Sequence, residues 1–227
     1  MDANPLASAI AQADAELVVE IADNNSTRLE AYRLRHQVYC LERGFEAGIG
    51  DYETDNFDRT ACHILLRRRS CGQVIGTSRL IMPRANEPDA SFPMQGVCPP
   101  SVLGGLPACG TSEVSRFAVS KVRRGLSDAA TSMARLALVR GLVELSRREG
   151  VTHWCAMMER TLLRLLRATS IHFIALGEPV EYHGLRQPAY CQLDAMLQRM
   201  RREQVTVWRY ITADGAFAGG VLEAVAA

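Results

Sequence analysis

No two of the seven cysteines form a C-x-x-C pair, and an odd number scattered from Cys40 to Cys191 makes no disulfide framework. Zinc ribbons and disulfide-stapled folds are therefore excluded, each thiol reads as a small apolar side chain, and a reducing compartment is expected. Long apolar runs are missing as well. The stretch from Leu6 to Ala15 is broken by Gln12 and Asp14, and Asp2 replaces a basic start. That suits neither a bilayer span of ~20 residues nor a signal peptide, so a cytoplasmic location without stable membrane insertion is expected. Charge of one sign is absent too. A net +1 gives no global field to draw nucleic acid or an anionic membrane, so any anionic partner must meet a local patch. There is no serine elbow, H-E-x-x-H helix or P-loop, and no metal is expected. The five histidines are dispersed and read as structural. His183 is held open because of its setting, Tyr182-His183-Gly184-Leu185-Arg186-Gln187-Pro188.

What is present suffices for one full-sized core, with 227 residues of which 48% are hydrophobic and 22% charged. Asn4-Pro5 opens a short helix, an N-terminal helical extension over 1–16. A single domain is expected over 17–212, followed by a small, Gly-rich tail over 213–227. Glu16–Ile21 is apolar and β-branched and predicts a first strand. Thr27-x-x-Glu30 predicts a capping box, and Ala31, Leu34, Val38 and Leu41 recur at helical spacing, so a helix is expected over 28–41. A loop over 42–59 leads to strands at Ala61–Arg68 and Val74–Met82. The Pro- and Gly-rich excursion from Pro83 to Gly110 is too long for a plain connector. Thr111–Val119 predicts a strand, Ser127 the cap of a long helix stopped by Gly150, and Thr152–Met158 a buried strand. A short helix at Thr161–Ala168, a strand at Val180–Tyr182, a helix at Tyr190–Glu203 and a last strand at Val205–Thr212 complete the reading. This order lacks the strict alternation of a doubly wound sheet and predicts α/β of the α+β, mixed-sheet kind.

The informative residues are charges inside strands. Arg79 interrupts the apolar run Val74–Ile81, and Glu113 and Arg116 interrupt Thr111–Val119. A buried charge is costly unless paired. Either these three join Arg35, Asp55 and Asp58 in a network of three arginines and three carboxylates lining one cleft, or they face solvent on an uncovered sheet face. Residues three apart in a regular strand point to opposite faces, so Glu113 and Arg116 can share a site only across a bulge. Lys121-Val122-Arg123-Arg124-Gly125-Leu126-Ser127 leads into the long helix. Its basic residues, glycine and helix N-terminus suit a phosphate, or else form a solvated basic turn. Arg67-Arg68-Arg69 and Arg199, Arg201 and Arg202 read as solvated faces, and without interleaved aromatics no nucleic acid is expected.

Four motifs in order then resemble a known family. Tyr32-Arg33-Leu34-Arg35-His36-Gln37-Val38-Tyr39 followed by Asp55-Asn56-Phe57-Asp58 looks like the opening of the acyl-homoserine-lactone synthases. Val74–Leu80 and Ser112-Glu113-Val114-Ser115-Arg116-Phe117-Ala118-Val119 continue it. Cys40-Leu41-Glu42-Arg43-Gly44-Phe45 and Tyr182–Pro188 are more similar to a neighbouring branch, the N-acyl amino acid synthases and the acyltransferases associated with PEP-CTERM/exosortase systems. The resemblance implies a GNAT fold, a central twisted mixed sheet flanked by helices. It also implies transfer of a fatty acyl group from acyl carrier protein to a small-molecule amine.

On that resemblance Arg35, Asp55, Asp58, Arg79, Glu113 and Arg116 match the family's charged cluster, and Tyr39 takes an aromatic position. Phe45 falls where the homoserine-lactone enzymes carry tryptophan, which turns the reading towards an amino acid acceptor and leaves S-adenosylmethionine as the alternative. A non-catalytic acyl-binding module on the same scaffold is the third reading. Glu113 is the expected general base, taking the amine's proton through a water. Backbone N–H groups around Arg116-Phe117 are expected to polarise the thioester carbonyl. Arg35, Tyr39, Phe45, Asp55, Asp58 and Arg79 are expected to hold the acceptor. Val119, Arg123, Arg124, Gly125 and Ser127 are expected to meet the phosphopantetheine of the carrier protein, or acyl-CoA, with no permanently bound cofactor. The loop is degenerate against the coenzyme A pattern, which suits a carrier-protein donor. Trp154, Met157, Met158 and Phe173 are candidate walls of an acyl tunnel.

Overall fold

The computed structural model describes residues 5–48, 50–121 and 126–219. In chain order the elements are α1 (Pro5–Glu16), β1 (Leu17–Ile21), α2 (Asn25–Arg35), β2 (Ala61–Arg68), β3 (Val74–Ile81), β4 (Thr111–Val119) and α3 (Asp128–Arg148). They continue with β5 (His153–Met158), α4 (Arg160–Arg167), β6 (Ile174–Ala175), β7 (Val180–Glu181), β8 (Leu185–Gln192), α5 (Leu193–Glu203) and α6 (Val205–Ile211). The strands form one open, mixed, eight-stranded sheet in the order β1-β2-β3-β4-β5-β8-β6, with β7 paired to β8. Among the described residues only β4 and β5 run parallel; every other pair is antiparallel.

One face of the sheet carries the larger core. Ile64, Leu66, Leu80, Val114, Trp154 and Ala156 pack there against Ala134, Leu138, Leu142 and Leu145 of α3. Gly141 lets that helix lie close, since a Cβ there would meet Val19 Cγ1 at 2.5 Å and Ile64 Cδ1 at 3.0 Å. The opposite face is covered in two parts. Leu34 and Val38 lie over Leu65 and Ala118, while Phe92, Met94 and Cys98 of the 83–110 excursion lie over Ile81 and Cys155. The arginines and carboxylates occupy the ground between these two covers.

Four local expectations are corrected. Asn24, not Thr27, caps α2, with its side chain accepting from Thr27 N at 3.0 Å; Glu30 is instead drawn to Arg67. Tyr190–Gln192 belongs to β8 and not to a helix, because the whole segment Leu185–Gln192 pairs with β5 despite Pro188. Val205–Ile211 is a helix and not a strand. Its β-branched residues favour a strand, but Val207, Tyr210 and Ile211 recur at helical spacing and are buried in the larger core, so packing overrides propensity. The helix expected to run through residue 41 changes at His36 into a π-helical turn over His36–Glu42, which turns Tyr39 towards β4.

Two irregularities in β4 position the site. Arg79 pairs with Ser115 and Thr77 with Ala118, so the single residue Ser78 faces two, Arg116 and Phe117. Arg116 has φ of 52°, left-handed backbone that a branched-off L side chain adopts only at a cost. The expected bulge is therefore present, immediately at Arg116. Beyond Glu113↔Cys155, moreover, β4 and β5 cease to pair and the sheet splays open.

Candidate active site

The bulge brings Arg116 round to the face already occupied by Arg79. Arg79 Nη1 and Nη2 grip Asp55 at 2.7 and 2.6 Å, Nη1 also reaches Asp58 at 2.6 Å, and Nε donates to Ser115 Oγ at 2.7 Å. Arg35 Nε meets Glu53 at 2.5 Å and its Nη1 meets Asp58 at 2.6 Å. Arg116 closes the set, with Nη2 on Glu53 at 2.8 Å and on Asp55 and Glu46 at 3.3 Å, and its guanidinium over the Tyr39 ring. Three guanidiniums thus interlock with three carboxylates, as expected, but the third carboxylate is Glu53 and not Glu113. The solvent-facing alternative is excluded, since Arg35 and Arg79 are fully buried.

Burial opposes ionisation of Glu53 and Asp55, yet the arginines win. Hydrogen bonds from Arg116 and Arg35 hold Glu53 at about 2, and Arg79 holds Asp55 at about 2. His63 lies beneath, 3.6 Å from Asp58; burial, followed by the charge of Arg35, pushes it down to about 3, so it is neutral.

Glu113 stands apart. It is 2% exposed, its Oε2 accepts from Met94 N at 2.9 Å, and burial pushes its carboxyl up to about 7. The 83–110 excursion supplies that donor, which gives the long connection its purpose at the site.

A cavity of about 220 Å³ opens where β4 and β5 part. Glu113, Ser115, Arg116, Phe117 and Val119 line one wall and Trp154, Ala156, Met157 and Met158 the other. Its interior is apolar, floored by Val139 and Leu142 of α3 with Leu166, Ile171 and Phe173 beyond, while its mouth is charged and aromatic. All four expected acyl-tunnel residues line this cavity, as do Tyr39 and Phe45. Arg35, Asp55, Asp58 and Arg79 stand behind it and brace Arg116. Val119 lines the cavity; Ser127 caps α3, accepting from Ala130 N, and its own N–H meets Glu16. Arg123, Arg124 and Gly125 lie outside the described residues.

Sequence reasoning missed Glu46, Glu53, Glu159 and Arg186. The signal for Glu53 was alternation: it lies two residues before Asp55 and so can share its side in extended chain. For Glu46, Glu159 and Arg186 the signal is long-range, because each meets its partner only through the folded sheet.

Solved structures share this fold. FeeM, an N-acyl amino acid synthase from uncultured soil microbes, superposes with a TM-score of 0.61 at 15% identity, covering 83% of this chain and 96% of that one. BjaI, a CoA-dependent acyl-homoserine lactone synthase, gives 0.56 at 21% identity over 86% of this chain and 98% of that one. Residues 34–134 match the model of the acetyltransferase (GNAT) domain. The fold is the GNAT fold. A curated relative, the acyl-homoserine-lactone synthase of Ralstonia nicotianae, is 24% identical over 165 residues, 70% of this chain and 78% of that protein. The chain is therefore similar over most of its length to acyl-transferring synthases. Among the described residues no helix is long and apolar enough to cross a membrane.

Proposed function

We propose that the chain is an N-acyltransferase that moves a long-chain fatty acyl group from a thioester to the amine of an amino acid or related small molecule. The observation that carries this reading is Glu113, a buried carboxyl pushed up to about 7, on the wall of a cavity whose mouth is charged and whose interior is apolar. A carboxylate tuned to neutrality can take a proton from an ammonium, directly or through a water, where one of ordinary acidity cannot. The freed amine attacks the thioester carbon, the C–N bond forms, and the thiol leaves with the proton. Backbone N–H groups of β4 at the Arg116–Phe117 bulge lie where pairing with β5 has ceased, and they steady the oxyanion.

Incubation with acyl thioesters and mixed amines, followed by product mass spectrometry, should return N-acyl amino acids. Homoserine lactones formed only with S-adenosylmethionine would replace this reading, and no product would leave an acyl-binding module. Phe45, and the likeness of Cys40–Phe45 and Tyr182–Pro188 to the PEP-CTERM/exosortase-associated acyltransferases, favour the amino acid in a cytoplasmic setting. Acyl carrier protein is the donor we favour. Reversing the charge of Arg123 and Arg124 should raise KM for acyl carrier protein, more so at low salt, and leave KM for a small acyl thioester alone. An unchanged KM for carrier protein moves the docking site elsewhere.

The acyl chain is assigned to the apolar interior. Ala156 is buried on its β5 wall. Ala156→Leu fills that space and should shorten the preferred acyl chain. Each methylene denied burial costs ~0.8 kcal/mol, about fourfold in kcat/KM. A chain-length profile identical to the parent's places the acyl group outside this cavity.

A further inference from the structure

The turn that ends α2 touches the site at two places. His36–Glu42 is π-helical, a rare widening of the helix that recurs at functional sites. In a regular helix Tyr39 and Glu42, three residues apart, would share a face. Here Tyr39 lies under the Arg116 guanidinium, while Glu42 reaches the far end of β4. Arg116 and Lys121 are five residues apart in the chain, roughly 15 Å where it is extended. One turn of seven residues therefore spans the stretch of β4 on which the chemistry is placed.

The contact at the far end is specific. Glu42 Oε1 accepts from Ser120 Oγ at 2.5 Å and Oε2 from Lys121 N at 3.0 Å, while Gln37 of the same turn donates to Oε1 at 3.3 Å. Ser120 is fully buried, and its own N–H goes to Ile75 O at 2.9 Å. Hydrogen bonds to a carboxylate are roughly twice as strong as neutral ones. They carry more weight here than inside an ordinary sheet. β4 pairs with β5 over Thr111–Glu113, so among the described residues the cavity-lining Phe117 and Val119 have a strand neighbour on the β3 side alone. Beyond Val119 the end of β4 is held by the Ser120–Ile75 bond and by the Glu42 carboxylate. Because that carboxylate occupies Lys121 N, this donor serves the strand and not a ligand.

We propose that Glu42 is a positioning residue for the acyl donor. It fastens the end of β4, and with it the Phe117–Val119 wall against which the donor's pantetheine arm lies, to the same turn that seats Tyr39 on Arg116. Glu42 touches neither reactant. The inference rests on the acyl-transfer reading for naming the arm, but its test needs no transfer. Removing the carboxylate should loosen the donor end of the cavity. The other end should stay in place, because Tyr39 and Arg116 keep their own contacts there.

Calorimetry on the full chain with S-dodecyl-pantetheine, a thioether that cannot transfer its chain, reads the donor end directly. Glu42→Ala should weaken binding of this probe roughly 10- to 100-fold, the range set by hydrogen bonds to a charged group. Glu42→Gln keeps the length and can still accept from Lys121 N, so it should recover part of the loss. Ser120→Ala should weaken binding less than Glu42→Ala. Adding Glu42→Ala to it should then cost less than in the parent, because the two residues share one contact. If Glu42→Ala does not fold, Glu42→Gln and Ser120→Ala carry the same test, each with a loss of a few-fold expected. Melting curves separate the roles. A merely structural Glu42 lowers the melting temperature and leaves the probe's affinity, taken well below that temperature, at the parent's value. Equal affinity in parent and variants therefore overturns the proposal, and so does a parent that does not bind the probe. If the variants rank as expected while no donor acylates any amine, the proposal stands and the acyl-transfer reading falls. If N-acyl product forms while the variants bind the probe like the parent, the reading stands and the proposal falls.

Discussion

Glu113→Gln is expected to lower kcat by about 10²–10⁴-fold while the protein folds normally, the range general-base assistance supplies. Glutamine keeps the shape and can still accept the Met94 N–H, but it cannot take the proton of an ammonium. Because burial pushes Glu113 up to about 7, the parent's kcat should rise with pH through an apparent value near 7 as the carboxylate appears. That limb should vanish in the variant. The deficit should also shrink at alkaline pH, where the free amine becomes abundant without help. The stability effect has a definite sign. A carboxyl raised above its ordinary 4.5 binds more protons folded than unfolded between those values, so its contribution is present below 4.5 and lost as pH rises through 7. The variant escapes this cost, on the order of a few kcal/mol, and should melt no lower than the parent at pH 8. A structural Glu113 predicts the reverse, lower melting and activity lost equally at every pH. A stably folded Glu113→Gln protein with the parent's kcat removes this residue from the chemistry.

The sheet was legible where pattern and burial agree. Ala61–Arg68 and Thr111–Val119 were read with the bounds the structure gives them, and the first strand, read from Glu16 to Ile21, begins one residue later at Leu17, because each combines apolar residues with clear turn signals. The charged site was legible because a charge inside a strand is an anomaly that requires a partner: Arg79 and Arg116 had to find carboxylates, and they did. What the pattern could not weigh was which carboxylate. Glu113 shares β4 with Arg116, but the excursion folds over it and buries it against Met94, and Glu53 arrives from a loop to take its place. The two errors near the C-terminal end have one cause. Val205–Ile211 and Tyr190–Gln192 are judged by neighbours far away in sequence, α3 in the first case and β5 in the second, and local propensity is silent about both. The mouth of the cavity is illegible for the same reason. Glu46, Glu159 and His183 come from three separate segments and acquire meaning only when the hairpin tip meets the loop after Tyr39.

Removing a cation from the interlocked set should be the largest stability loss available at the site. Arg35 is fully buried and bonds Glu53 and Asp58 at once, so Arg35→Ala leaves two buried carboxylates short of a partner and a void where the side chain lay. Breaking a buried pair from one side costs about 3–5 kcal/mol. For a domain of this size that is roughly 10 °C of melting temperature. The pH dependence should move with it. Arg116 and Arg35 hold Glu53 at about 2 against the burial that opposes them, and Arg79 does the same for Asp55. Carboxyls depressed in this way stabilise the fold above their ordinary values near 4, and that stability is lost as pH falls towards 2. Without Arg35, Glu53 and Asp58 rise, and acid unfolding should begin at a higher pH than in the parent. Activity should fall as well, because Glu53 is the strut that Arg35 and Arg116 share. Arg35→Lys returns the charge without the two-pronged geometry and should recover only part of the loss. Calorimetric melts of parent, Arg35→Ala and Arg35→Lys from pH 3 to pH 8 decide the matter. Melting of Arg35→Ala within about 2 °C of the parent, with the same acid limb, would mean that the interlock contributes little and that Arg116 is positioned by the β4 bulge alone.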